Sequence, residues 1–224
     1  MTGVQTCALP ISLNPWGAHV GDKVVAVTPF IYGGPDGAGG AWISPYLYGQ
    51  YGVTERFELL AGVGATVVPP ASFDSIELMP RYFFSDSTGV ALHATWSPGA
   101  IELAPEWHGI YELGPIGLTV NAGWAPAIGL GAAGGFSPGS VYALVAPEYY
   151  FNDATSVFVE LDPSVAVDGS TDPFYMEVVP GVSTSIAETH YFAFGVAIPV
   201  TGFDPSGIYG GVWYSIAFGG SDDG

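Results

Sequence analysis

Apolar residues recur at every second position through most of this chain. From Phe57 to Val67 the residues Phe57, Leu59, Ala61, Val63, Ala65 and Val67 are apolar, while Glu58, Leu60, Gly62, Gly64 and Thr66 are mixed and small. Residues two apart share one face of a β-strand, so this stretch reads as a strand with one apolar face. The same rule sets Ile101, Leu103, Pro105, Trp107, Gly109 and Tyr111 against Glu102, Ala104, Glu106, His108, Ile110 and Glu112, and here the second face is plainly polar. No helical periodicity competes with it, and Gly and Pro are spread throughout. The pattern predicts twelve strands, near 23–32, 41–51, 56–68, 75–84, 89–97, 101–112, 117–126, 140–151, 156–164, 173–184, 190–200 and 207–218.

The connections alternate in length. Tight turns are expected at Val53-Thr54-Glu55, Ser85–Thr88, Leu113–Ile116, Asn152–Thr155 and Ala187–Thr189, separated by longer Gly-rich segments such as Gly33–Gly40 and Ile128–Gly139. Short turns on one rim and longer loops on the other belong to a closed, antiparallel, up-and-down transmembrane β-barrel, an all-β fold of about twelve strands. Pro45, Pro98, Pro105, Pro126, Pro163 and Pro199 fall toward the long-loop ends of their strands. A missing backbone donor there is replaceable by water, which places these prolines near a membrane boundary. Trp96, Trp107 and Trp124 toward that rim, and Tyr51, Phe57, Phe84, Tyr111, Phe151 and Phe192 toward the other, read as two aromatic girdles.

Composition strengthens the membrane reading. The chain is 49% hydrophobic and only 11% charged, where a soluble domain carries about 25% charged residues. A soluble β-sandwich with an aromatic core would share the alternation, but with so few charges its surface would be poorly soluble. No apolar run reaches the roughly 18 residues of a membrane helix, so high hydropathy points to strands that face lipid on one side. With 21 acidic residues against three basic ones, Lys23, Arg56 and Arg81, the net charge is −18; no nucleic-acid partner is expected, because tracking phosphates needs clustered Lys and Arg.

The opening Met1–Ser12, MTGVQTCALPIS, reads as an in-frame translation of a sequencing adapter. The single cysteine, Cys7, lies inside it, so no native disulfide or thiol site is expected. The native start would then lie upstream of the recovered fragment, and a missing signal peptide carries no weight against export. Residues 13–22 are read as a lead-in, 23–218 as one barrel domain and 219–224 as a tail.

If the apolar faces meet lipid, the opposite faces gather Glu58, Glu77, Arg81, Glu102, Glu106, His108, Glu112, Glu148, Glu160, Asp162 and Glu177 toward the lumen. A ring of carboxylates with one or two cations is what a cation-selective pore presents. The same groups are equally able to hydrogen-bond across a narrow interior and fill it. His93 and His108 with Glu102 or Glu106 form a possible acid–base set, but His108 and Glu106 stand about 7 Å apart at strand rise, and no nucleophile or metalloprotease motif supports an enzyme. No catalytic residue is assigned, and the four histidines, His19 and His190 among them, show no metal-ligand spacing. The Ser221-Asp222-Asp223 tail reads as solvated, and Gly129–Gly135 (GLGAAGG) lacks the Lys of a phosphate loop. No cofactor is expected.

The string Tyr51–Leu59 (YGVTERFEL) resembles the periplasmic hairpin of outer-membrane transporter barrels of the phenol meta-pathway type. The last strand, Tyr209–Phe218 (YGGVWYSIAF), is similar to the C-terminal insertion signal of outer-membrane barrels in Gly211, Tyr214, Ile216 and Phe218, but Gly219–Gly224 follow where many such proteins end. The resemblance implies a Gram-negative outer-membrane location, with the bilayer, lipopolysaccharide and the insertion machinery as partners. It also implies a passive channel or porter for small, hydrophobic or aromatic molecules through an acidic lumen. The alternative is a structural or adhesive barrel whose lumen is filled by side chains.

Overall fold

The computed structural model describes residues 21–36, 39–67, 71–130, 134–167, 169, 173–186, 189–201 and 207–219. Met1–Ser12, most of the lead-in, His19 and the Ser221-Asp222-Asp223 tail lie outside them. Twelve strands follow in chain order: β1 (Val25–Pro35), β2 (Ala41–Thr54), β3 (Phe57–Thr66), β4 (Ser72–Ser85), β5 (Thr88–Ser97), β6 (Ala100–Leu113), β7 (Ile116–Gly129), β8 (Phe136–Asn152), β9 (Thr155–Ala166), β10 (Phe174–Ile186), β11 (His190–Pro199) and β12 (Tyr209–Phe218). Each pairs antiparallel with its sequence neighbours, and β1 pairs with β12, from Val25 opposite Phe218 to Gly33 opposite Gly210, to close the barrel. Closure leaves no unpaired edge, which is what lets a sheet cross a bilayer. The described residues contain no helix long and apolar enough to cross a membrane; the crossing is made by strands.

The turns follow from local chemistry. Thr54 Oγ1 accepts hydrogen bonds from the amides of Arg56 and Phe57 at 3.2 and 3.0 Å, and Asn152 Oδ1 accepts from Ala154 and Thr155 at 2.9 and 3.0 Å. Side-chain oxygens at the first turn position mimic a backbone carbonyl, which favours Thr, Asn and Asp there. Gly114, at φ 67°, supplies the left-handed residue of the Leu113–Ile116 turn.

Three details differ from the sequence reading. The β2–β3 turn is Glu55-Arg56, not Val53-Thr54-Glu55, because an irregularity between Gly52 and Thr54 carries β2 further. The β5–β6 connection on the long-loop rim is also tight, only Pro98-Gly99, so the alternation of loop lengths is not strict. The proline ruler does not hold generally: Pro29, Pro80 and Pro147 lie inside β1, β4 and β8 toward the tight-turn rim, and Pro180 lies at the midpoint of β10. All four point outward, and each leaves its strand one ladder donor short.

Leu59, Val63, Leu78, Leu103 and Val157 are exposed on the outer surface, and Trp107, Val120 and Val178 are half-buried. Trp96 and Trp124 are exposed toward one rim, and Tyr51, Tyr82, Phe84, Tyr149, Phe151 and Phe192 toward the other. Trp107 belongs to neither group: it lies at the middle of β6, its ring beside Gly109, where an added Cβ would stand 2.7 Å from it. Leu78 is at the midpoint of β4 and half exposed. A Leu78→Arg substitution is therefore expected to cost about 2 to 4 kcal/mol, the penalty for a lipid-facing Arg at the midplane. Urea titration of the refolded barrel in lipid vesicles measures it, and a cost below about 0.5 kcal/mol would mean that position 78 does not face lipid.

Candidate functional site

Eight strands enclose an interior that side chains fill, and sixteen or more leave a water channel. Twelve strands lie between, so the volume of the inward side chains decides. Glu58, Arg81, Glu106, His108, Glu148, Glu160 and Glu177 are buried, while Glu77 and Glu102 are half-buried. Glu112 is exposed at the tight-turn end of β6. The nine pore-lining candidates therefore lie on the inward rows of their strands, but they do not form one ring.

The half of the lumen nearer the tight turns is packed. Arg81 forms an ion pair with Glu58, both side chains wholly buried. Gln50 Nε2 donates to the other Glu58 oxygen at 3.0 Å, and the guanidinium sits 5.7 Å from the Phe83 ring centroid. Leu60, Met79 and Ala91 pack together beside this pair. Around the wall, Tyr142 OH donates to Glu106 Oε2 at 2.5 Å. His108 Nε2 lies 2.8 Å from Glu106 Oε1, and its Nδ1 is 3.0 Å from Asn121 Oδ1. Further round, Ser156, Ser183 and Tyr150 all donate to Glu148.

The Glu106–His108 contact corrects the sequence reading, which took their separation as too long. Strand rise sets the spacing of backbones, whereas two long side chains on one face lean together along the strand. His93 Nε2 lies 3.3 Å from Glu77 Oε2 and 3.1 Å from Thr95 Oγ1, a carboxylate partner that the sequence reading did not consider. Among the described residues, no group of three or more His, Cys, Asp or Glu is placed to hold a metal ion.

The other half of the lumen is open. A cavity of about 320 Å³ lies between Phe30, Tyr32, Tyr46, Tyr48 and Tyr209 on one side and Glu77, His93, Glu160, Asp162 and Glu177 on the other. Its aromatic wall escaped the sequence reading, which attended only to charge. The wall depends on glycine. Tyr48, Gly62 and Glu77 stand opposite one another on β2, β3 and β4. The Tyr48 ring lies across Gly62, where an added Cβ would come within 2.3 Å of it, and its hydroxyl reaches Glu77 at 3.1 Å. Tyr142, Gly123 and Glu106 repeat the arrangement on β8, β7 and β6. Tyr46 lies over Gly64 in the same way, its plane within 12° of that of Tyr48. A ring folded flat on the wall takes up less of the lumen, and Tyr48 packs with Phe30, Phe158 and Trp213 in one buried cluster against which Tyr32, Tyr46 and Tyr209 lie. The signal for this was present as Tyr46-Leu47-Tyr48 against Gly62-Val63-Gly64, but it is readable only once β2 and β3 are in register.

Carboxylates of the lining accept from hydroxyl groups, and Glu77 also meets His93. Glu177 accepts from Tyr209 at 2.8 Å and from Tyr175 at 3.0 Å, and Glu77 accepts from Ser75 at 2.9 Å as well as from Tyr48. Hydroxyl donors satisfy lone pairs without cancelling charge. The lining contains no Lys or Arg, and His93 is its one basic side chain beside four carboxylates.

No family model matches the chain, and no curated protein matches it. Solved structures do. A NanC porin aligns at TM-score 0.60 with 8% identity, covering 87% of this chain and 99% of that one. An outer-membrane channel from Pseudomonas putida F1 aligns at TM-score 0.61 with 12% identity, covering 90% and 97%. A KdgM porin aligns at TM-score 0.61 with 12% identity, covering 87% and 99%, and is also seen in complex with disordered oligogalacturonate. The fold is thus that of the twelve-stranded bacterial outer-membrane barrels.

Proposed function

We propose that this chain is a diffusion channel of the bacterial outer membrane for small cations, with Glu58, Glu77, Arg81, Glu102, Glu106, His108, Glu148, Glu160 and Glu177 lining its path. The observation that carries the proposal is the lumen cavity lined by Glu77, Glu160, Asp162 and Glu177 beside the single basic residue His93. Low-dielectric walls focus the field of such groups and concentrate counter-ions between them. The KdgM porin is seen in complex with oligogalacturonate, a polyanion; a lumen with more carboxylates than basic groups would repel such a ligand, so the permeant class here has the opposite sign. The aromatic wall, and the resemblance of Tyr51–Leu59 to meta-pathway transporters, favour permeants with an apolar or aromatic body. Lipopolysaccharide would surround the outer rim, and the insertion machinery would read the Tyr209–Phe218 strand.

On this path Arg81, Glu58 and Phe83 form a buried layer. Its complete burial favours a second reading, a barrel sealed by its own side chains. Planar-bilayer recording separates the two. A channel gives conductance steps whose reversal potential in a salt gradient favours the cation, and Glu77→Gln with Glu177→Gln lowers that preference at least about threefold. Silence of both the native chain and variants thinned at the Arg81 layer would establish the sealed barrel.

A further inference from the structure

We infer that the cavity bounded by Tyr46, Tyr48, Tyr209, Asp162 and Glu177 is a binding site for an organic ammonium ion carrying an aromatic ring. This deepens the reading of the lumen as cation-selective and rests on it.

Three observations converge. The first is volume: about 320 Å³ holds roughly ten waters at about 30 Å³ each, room for a small ring with a short amine arm. The second is the surface. Tyr32, Tyr46 and Tyr48 form a row with centroids 5.4 and 5.9 Å apart and planes within 25° and 12°. A ring face carries negative quadrupole charge and attracts an ammonium group, while the apolar area of the row suits a ligand ring. The third is charge placement. Asp162 and Glu177 are opposite each other on β9 and β10, away from the β1 and β2 strands that carry the aromatic row, and the lining sets Glu77, Glu160, Asp162 and Glu177 against His93 as its one basic side chain. A ligand spanning the cavity would set its ammonium head between the carboxylates and its ring on the tyrosines. A bare inorganic ion would use only the carboxylates and leave the aromatic wall wet. A neutral aromatic would use the wall and leave the charge uncompensated.

Titration of 2-phenylethylammonium into the refolded full chain in detergent micelles, followed by calorimetry, tests this without requiring conduction. Saturable binding is expected, weakened at least about tenfold by Asp162→Asn with Glu177→Gln and unaffected by Asp86→Asn in the β4–β5 turn. Tyr46→Leu, which removes a ring and no charge, should weaken it about two- to thirtyfold, the range of a cation–π contact. Equal affinity for 2-phenylethanol, or displacement of the amine by equimolar potassium or calcium, would overturn the inference, as would no binding at all. Each of those results leaves bilayer conductance to stand or fall separately, so failure of the site is distinguishable from failure of the channel.

Discussion

Arg81→Ala should lower the stability of the refolded barrel by about 3 to 5 kcal/mol, a large part of a typical 5 to 15 kcal/mol. The reason is the partner left behind. Glu58 is wholly buried in the same layer, so the substitution removes the cationic partner of a carboxylate held away from water. Removing both charges avoids this: Arg81→Met with Glu58→Leu should recover most of the loss, since apolar residues of similar volume replace a buried ion pair at little cost. Urea titrations of the two variants in vesicles decide it, and an Arg81→Ala loss no larger than about 1 kcal/mol would show that water reaches the Arg81 layer. The same variant probes transport, because truncating Arg81 thins this buried layer and should raise single-channel conductance.

Gly64→Val should abolish most ligand binding in the cavity while leaving the barrel assembled. An added Cβ at position 64 would stand 2.2 Å from Cε1 and Cζ of Tyr46, closer than any real contact allows. The ring must therefore leave the wall, and the space available to it is the cavity. Overpacking of this kind costs about 1 to 3 kcal/mol, which a folded barrel tolerates. Tyr46→Ala in the same chain should restore the cavity volume, and Gly49→Ala, with open space around its Cβ, should change nothing. If Gly64→Val binds 2-phenylethylammonium as well as the native chain, the glycines do not hold the wall open.

The strands were legible because the chain alternates cleanly where one face meets lipid, as in Phe57–Val67, and because Gly, Asn and Thr mark the turns. The inward carboxylates were legible by parity alone: once Leu59 and Leu103 face out, Glu58 and Glu102 face in. The aromatic wall was not, since Tyr46 and Tyr48 acquire meaning only from Gly62 and Gly64 on the next strand. That pairing depends on a turn whose position was misplaced by the irregularity at Gly52 and Thr54. The Glu106–His108 contact was missed for a different reason, namely that backbone spacing says little about where long side chains meet. The partition of the lumen into a packed and an open half was also beyond reach, because it is a sum over residues from all twelve strands.

The tyrosine–glycine rows also bear on how the barrel assembles. A β-sheet whose outer face is uniformly apolar offers adjacent strands many near-equivalent alignments, because sliding by two residues restores the same inside-out pattern. Tyr48, Gly62 and Glu77 break that equivalence. If β2 slid by two residues toward its long-loop end, Tyr48 would face Gly64 in place of Tyr46, and its hydroxyl would leave Glu77. If it slid the other way, the ring would meet Leu60 instead of a glycine and could not lie flat. The row on β6, β7 and β8 imposes the same test four strands further round the barrel. The glycines that keep the lumen open thus also act as proofreading positions, admitting only the alignment in which every ring finds its gap.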